Sequence, residues 1–225
     1  MGAKTNPILA IFTTLLNMRL NIWMANPRRS RPPRFIFWLR YYLKELTRQG
    51  SEADALVNLS DGAHHENLGI YPLLRRRCRI IIASDAGSDP QFQMEDLANL
   101  QRKARIDLGI EIKFKDINKI FPDVNQKEHY SQASFMIGDI HYPDQDAVGK
   151  LIYMKTALIG REPEDLLAYR RKNPDFPDQT TADQFFDEEQ FESYRKLGQI
   201  IAEATFAQEQ EFDTFEKFKS FFLVS

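Results

Sequence analysis

The stretch that most constrains this chain is residues 56–90, in which two short apolar segments flank a helical pattern. Residues 56–59 predict a first strand, and the Ser-Asp-Gly that follows ends it. Apolar residues at helical spacing continue to about Arg77, and residues 80–83 predict a second strand. The connection is long enough for the crossover that parallel strands require, so the stretch predicts a right-handed βαβ unit.

An aspartate follows each of these predicted strands, Asp61 after the first and Asp85 after the second. In open α/β sheets, ligands bind at the edge where the carboxyl ends of parallel strands meet. An acid at that edge can face a substrate, although its position alone does not make it catalytic.

Composition sets wide bounds on fold and partners. With 225 residues, 43% hydrophobic and 28% charged, the chain is long enough for one globular domain with a sizeable core. The net charge of -2 provides no basic field, so no nucleic-acid partner is predicted. Cys78 is the single cysteine and cannot form an internal disulfide; beside the apolar run that follows it, it is predicted to be inert core.

The N-terminal region is apolar enough to raise the question of a membrane contact, but its sequence predicts no membrane span. Residues 6–24 are apolar, but Asn17 and Arg19 interrupt them before a spanning length, and no signal-peptide cleavage pattern follows. We expect a helix that packs on the protein or lies at an interface. Residues 26–34 form a basic, proline-rich linker that is either solvated or lies against anionic headgroups, and residues 35–48 predict an amphipathic helix. The location predicted is cytoplasmic or peripheral to a membrane.

The rest of the chain predicts further α/β elements. The strands predicted at 135–142 and 150–159 are joined by a turn-rich segment, which suggests a hairpin at the antiparallel edge of a mixed sheet. By segment, we expect an N-terminal region at 1–50, an α/β region at 51–206 and an aromatic tail at 207–225. The predicted elements are a helix at 94–108 capped by Gly109, strands at 111–115, 135–142 and 150–159, helices at 163–171 and 188–206, and helix-spaced aromatics at 212–224.

A family resemblance rests on the run SDGAHHENLGIYPLLRRRCRIIIASDAG. It resembles the aspartate-bearing half of the catalytic domain of bacterial patatin-like phospholipases, whose aspartate lies in a D-G-[GA] motif that Asp61, Gly62 and Ala63 match. The resemblance continues through 95–109 and into 173–186, and it implies a three-layer α/β sheet with flanking helices. The alternative for Asp-Gly is the turn of a β-hairpin, but no alternating strand follows Gly62.

The chemistry that this resemblance implies is acyl-ester hydrolysis by a serine-aspartate dyad. Asp61 would be the base that activates the serine hydroxyl, and partial burial by the preceding strand would raise its pKa toward the working pH. Gly62 would let the backbone turn sharply. His64 and His65 would bind headgroup phosphate or orient Asp61; the alternative is that both are exposed imidazoles in a turn. No metal or other cofactor is predicted.

Two parts of such an active site are missing from the sequence. No serine lies in G-x-S-x-G, and no glycine-rich loop precedes Asp61 to supply an oxyanion hole. The chain therefore resembles the carboxyl-terminal half of an incomplete catalytic domain acting on a phospholipid or other acyl-ester lipid. Its expected partners are a missing N-terminal half or another copy of itself. The alternative is a non-catalytic relative that binds lipid or protein through its N-terminal helix and aromatic tail.

Other charged motifs have simpler interpretations. Residues 75–77 are arginines at a predicted helix end, where they favourably oppose the helix dipole. Asp85 and Asp89 are expected to form turns before Pro90.

Overall fold

The protein has a mixed α/β fold with two separate sheets. The computed structural model describes residues 22–29, 40–41, 43–44, 47, 49–51, 53–59, 61–123, 129–180 and 185–206. The chain divides into two compact units, residues 1–67 and 68–225. The segment 51–206, which the sequence predicts as one α/β region, therefore contributes residues to both units.

The first unit contains a two-stranded antiparallel sheet. Strand β1 (Ile22–Ala25) pairs with β2 (Leu56–Leu59), with Ala25 opposite Leu56. Leu56 is buried, whereas Leu59 is half exposed at the other end of the strand. The helix predicted at 6–24 is wrong at its last residues, 22–24, because they are extended and pair with β2; the remainder lies outside the described residues.

The pairing of β2 overturns the predicted βαβ unit. Strand β3 (Ile80–Asp85) belongs to a different sheet from β2, and β2 pairs antiparallel with a segment earlier in the chain. The helix between them is also shorter than predicted, because α1 comprises only Tyr71–Arg75 and follows a 3-10 turn at Gly62–His64. Asp61 and Asp85 therefore do not end neighbouring parallel strands.

The second unit contains a four-stranded mixed sheet with the order β3-β6-β5-β4. Its pairings are parallel between β3 and β6 and antiparallel in the other two cases. The predicted hairpin is confirmed, but its place at the sheet edge is wrong, because its two strands occupy the centre. The three strands not yet placed are β4 (Glu111–Phe114), β5 (Phe135–His141) and β6 (Gly149–Lys155).

Three longer helices complete the described part of this unit. Each lies where the sequence predicts it, within one residue at either end. Gly109 adopts a left-handed conformation (φ 66°) after the first of them, as expected for a C-terminal glycine cap. The helices are α2 (Glu95–Leu108), α3 (Glu164–Lys172) and α4 (Glu188–Phe206).

Two apolar clusters form the core of this unit. The larger packs α1 and α2 against the sheet, and Cys78 packs against it as a half-buried side chain. The smaller joins α3 to α4 around Phe176. The apolar run in β3 is not fully buried: Ile81 is 1% exposed but Ile82 is 47% exposed, because successive side chains of a strand point to opposite faces of the sheet and only one face of β3 meets the larger core cluster.

The predictions for the chain termini are mostly untested. The predicted helix at 35–48 is described at residues 40–41 and 43–44, which are helical. The aromatic tail at 207–225 lies outside the described residues. Within the described parts of the chain, no helix combines the length and the apolar character needed to cross a membrane.

An ion pair between the two central strands supports one prediction about stability. The Lys150 ammonium lies 2.9 Å from Asp139 Oδ1 across the β5–β6 register, and its hydrogen bond lowers the pKa of Asp139. Because both side chains are largely buried, we expect Asp139→Asn to lower the free energy of unfolding at neutral pH by about 1 kcal/mol.

The effect should depend on pH in a defined direction. A carboxyl group with a lowered pKa stabilises the folded state above its unfolded pKa, and this stability is lost as the pH falls through the lowered value. In urea unfolding curves, the difference in stability between the wild type and Asp139→Asn should therefore shrink as the pH falls below about 4. Asp116→Asn is the control, because its pair with Lys119 is exposed. A difference that is as large in acid as at neutral pH would contradict the assignment.

Candidate functional site

Asp61 lies just beyond β2, at the start of the 3-10 turn Gly62–His64. Its Oδ1 accepts a hydrogen bond of 3.0 Å from the Ala63 backbone N–H, and its carbonyl oxygen accepts one of 3.2 Å from His64 N–H. Among the described residues, none donates a hydrogen bond to Oδ2. The side chain is exposed, so the partial burial expected from the preceding strand is not observed.

The neighbours of Asp61 form an exposed turn. Gly62, Ala63, His64 and His65 are all exposed, as the alternative interpretation of the two histidines predicts. A Cβ atom at Gly62 would meet nothing within 4 Å, so the turn does not depend on glycine for space. The structure therefore brings the predicted site residues together in one turn, with Asp61 capping it.

Asp85 has a different environment from Asp61. It ends β3, is 7% exposed, and its Oδ2 lies 3.3 Å from Lys155 Nζ at the end of the parallel neighbour β6. The Tyr153 hydroxyl donates a hydrogen bond to the same oxygen. Asp85 Oδ1 accepts a bond of 2.9 Å from Gly87 N–H, so the predicted turn role is present beside a buried ion pair.

Lys155 is almost completely enclosed at the edge of this sheet. It is 1% exposed, and its ammonium also donates to the Gly87 carbonyl oxygen at 3.0 Å. Burial, followed by the hydrogen bond to Asp85, raises the pKa of Tyr153, which keeps this phenol a neutral donor. Lys155 and Tyr153 were not predicted as site residues from the sequence. The feature that could have indicated them is a tyrosine and a lysine in the otherwise apolar strand segment LIYMK.

Two cavities lie beside this cluster within the second unit. The smaller, of about 290 Å³, is lined by the Asp85–Lys155 pair and by the loop that leads into α2. The larger, of about 420 Å³, adjoins it at Pro90 and Gln91. Asp89 belongs to the wall of the smaller cavity and Asp178 to the wall of the larger, and Asp89 N–H donates to Asp178 Oδ1 at 3.0 Å.

Asp89 lies in a turn, as expected, where its carbonyl oxygen accepts a hydrogen bond of 2.9 Å from Phe92 N–H. Its two carboxylate oxygens accept hydrogen bonds from the backbone N–H groups of Gln93 at 2.9 Å and Met94 at 2.8 Å, just before α2. Among the described residues, no three His, Cys, Asp or Glu side chains are grouped so that they could hold a metal ion.

The comparisons with known proteins give no match: no family model, curated protein or solved structure matches the chain.

Proposed function

We propose that this chain supplies the aspartate base of a patatin-like lipid acyl hydrolase and that Asp61 is this base. The observation that carries the proposal is the exposed Asp61 carboxylate in the D-G-A sequence, whose Oδ1 accepts a hydrogen bond from the Ala63 backbone N–H and whose Oδ2 accepts none from the described residues. A carboxylate fixed through one oxygen can accept a proton from a serine hydroxyl through the other.

The roles of the surrounding turn follow from the same arrangement. The Ala63 N–H fixes the orientation of the carboxylate, which is the task of a positioning hydrogen bond. His64 and His65 are exposed beside it, where protonated imidazoles would attract the phosphate of a phospholipid headgroup. The substrate class we propose is an acyl-ester lipid at a membrane surface, and the three-layer patatin-like fold is part of the same proposal.

The serine nucleophile must come from outside these 225 residues. The sequence contains no G-x-S-x-G and no glycine-rich loop before Asp61. An oxyanion hole usually supplies a large part of the transition-state stabilisation, so we expect the chain alone to hydrolyse no chromogenic short-acyl ester above background. Turnover that is blocked by a fluorophosphonate probe and lost in Asp61→Asn would instead mean that a serine of this chain is the nucleophile.

A complementation experiment tests the role of Asp61. A G-x-S-x-G segment encoded next to this chain in its genome would be co-expressed with it and assayed on a phospholipid and a chromogenic ester. We expect ester hydrolysis only when both polypeptides are present. Asp61→Asn should lower kcat by about 10²–10⁴-fold, because general-base catalysis contributes that much. The control is Asp146→Asn, which changes an exposed loop aspartate.

A second candidate function is non-catalytic lipid or protein binding. The missing nucleophile motif is the observation that favours it. Under this alternative, the mixture shows no ester hydrolysis, or shows hydrolysis that Asp61→Asn leaves unchanged, while the chain still binds phospholipid vesicles or a protein.

A further inference from the structure

The larger cavity of the second unit has the size and composition of a small-molecule site. Its volume of about 420 Å³ falls within the range of roughly 300–1,000 Å³ that holds most bound organic ligands. All the residues that line it belong to the unit 68–225. Nothing in the proposed role of Asp61 uses it.

Rigid apolar groups form most of the wall. Phe92, Phe121 and Leu158 line the cavity together with four prolines, whose backbone angles are restricted. Phe92 and His129, both at this wall, have positive φ angles of 49°. Non-glycine residues with positive φ angles cost free energy and tend to cluster at functional sites. Aromatic walls of this kind favour a ring or another large apolar group.

Two opposite charges line the same cavity without pairing. Arg170 donates one hydrogen bond of 2.6 Å, to the Phe176 carbonyl oxygen, and makes no ion pair with any described residue. The Asp178 carboxylate accepts one hydrogen bond from the described residues, donated by Asp89 N–H, and is likewise in no ion pair with a described residue. Asp175, which is exposed, adds a second carboxylate to the wall.

Such a separated pair is incompletely neutralised. A guanidinium has five N–H donors, of which Arg170 uses one among the described residues, so a bidentate carboxylate can still bind it. Burial raises the pKa of Asp178, and the attraction of Lys155 and Arg170 only partly opposes it, so a ligand cation in contact with the carboxylate would stabilise its charged form. Because both side chains line the same cavity, a ligand that carries both charges can contact both of them.

We propose that this cavity binds a free α-amino acid with an aromatic or other large apolar side chain. Its carboxylate binds Arg170, its ammonium group binds Asp178, and its side chain packs against Phe92 and Phe121. The inference does not depend on the proposed hydrolase function, because it uses neither Asp61 nor any catalytic step.

Calorimetric titration with four matched probes tests the proposal. We expect L-tryptophan and L-phenylalanine to bind the wild-type chain. Removing one charge from the ligand should weaken binding at least about tenfold, since hydrogen bonds between charged groups contribute that much. The probes for this are 3-phenylpropionate, which lacks the ammonium group, and phenethylamine, which lacks the carboxylate.

Two variants and two controls assign the contacts. In Arg170→Gln, L-phenylalanine should bind no better than phenethylamine binds the wild type, and in Asp178→Asn no better than 3-phenylpropionate does. Arg171→Gln and Asp165→Asn should leave the affinity unchanged, because these exposed residues of α3 do not line the cavity.

The proposal fails if the wild type binds neither amino acid, or binds the singly charged analogues as tightly. It also fails if the Arg171→Gln control weakens binding as much as Arg170→Gln. Should Arg170→Gln not fold, the ratio between L-phenylalanine and phenethylamine on the wild type decides the carboxylate contact by itself. None of these outcomes bears on ester hydrolysis, so the two proposals stand or fall separately.

Discussion

Replacing Lys155 with methionine is expected to lower the free energy of unfolding by about 3–5 kcal/mol, the usual cost of leaving one partner of a buried ion pair alone. Lys155 is 1% exposed and Asp85 is 7% exposed, so the substitution leaves a carboxylate that is mostly shielded from solvent without its cation. Tyr153 would still donate its hydrogen bond to Asp85, but a neutral phenol does not cancel a buried negative charge. Urea unfolding followed by circular dichroism measures the change.

The matched control for this substitution lies in the same sheet. Lys113 pairs with Glu111 on β4, where both side chains are more than half exposed, so Lys113→Met should cost little. The double variant Asp85→Asn/Lys155→Met removes both charges and should recover part of the loss. If Lys155→Met were as mild as Lys113→Met, the ion pair would not be buried in solution as the structure shows it.

Phe176→Ala is expected to cost about 3–5 kcal/mol, the range for removing a fully buried phenylalanine from a core. Phe176 is 0% exposed, and its ring makes edge-to-face contacts with two tyrosine rings. The distance between ring centroids is 5.1 Å to Tyr169 and 4.9 Å to Tyr194. Truncation removes both contacts and leaves a void where α3 and α4 meet.

Thermal unfolding checks the second substitution. Phe185→Ala is the control, because this phenylalanine is 92% exposed and should contribute almost nothing to stability. We expect a melting temperature many degrees lower for Phe176→Ala and one unchanged for Phe185→Ala. Similar melting temperatures for the two variants would mean that α3 and α4 do not pack around Phe176 in solution.

The helices and the central hairpin are predictable because their signals are local. Gly109 ends α2 in the left-handed conformation that glycine favours, and the apolar spacing before it determines the buried face of the helix. The turn-rich residues between β5 and β6 similarly indicate a hairpin, which the structure confirms.

The partner of a short strand is not a local property. The pattern of residues 56–59 is compatible with a strand in either a parallel or an antiparallel sheet. Which strand they pair with depends on packing with residues far along the chain. The structure pairs them with Ile22–Ala25, and the sequence predicts residues 22–24 of that strand as helical. Lys155 was missed for a related reason: a lysine in a strand suggests exposure, and the aspartate that neutralises it is 70 residues earlier.

The site itself was predictable only to the level of a turn. The D-G-A motif predicts a turn at Asp61 after a strand, and the structure confirms the turn. The partial burial expected for Asp61 is not observed, and its role as a base stays a prediction. Arg170 and Asp178 had no sequence signal, because each looks like an ordinary surface charge until the fold brings both to one cavity.

The position of β6 has a consequence for how the sheet can assemble. Its neighbour β5 lies across one short loop, but its other neighbour, β3, pairs with it at a separation of 70 residues. The chain entropy lost on closing a loop grows with the length of that loop, so the hairpin is the less costly pairing to form. A hairpin that forms first holds β6 extended, and this lowers the chain entropy that the parallel pairing with β3 then costs. The burial of Lys155 against Asp85 accompanies that second pairing.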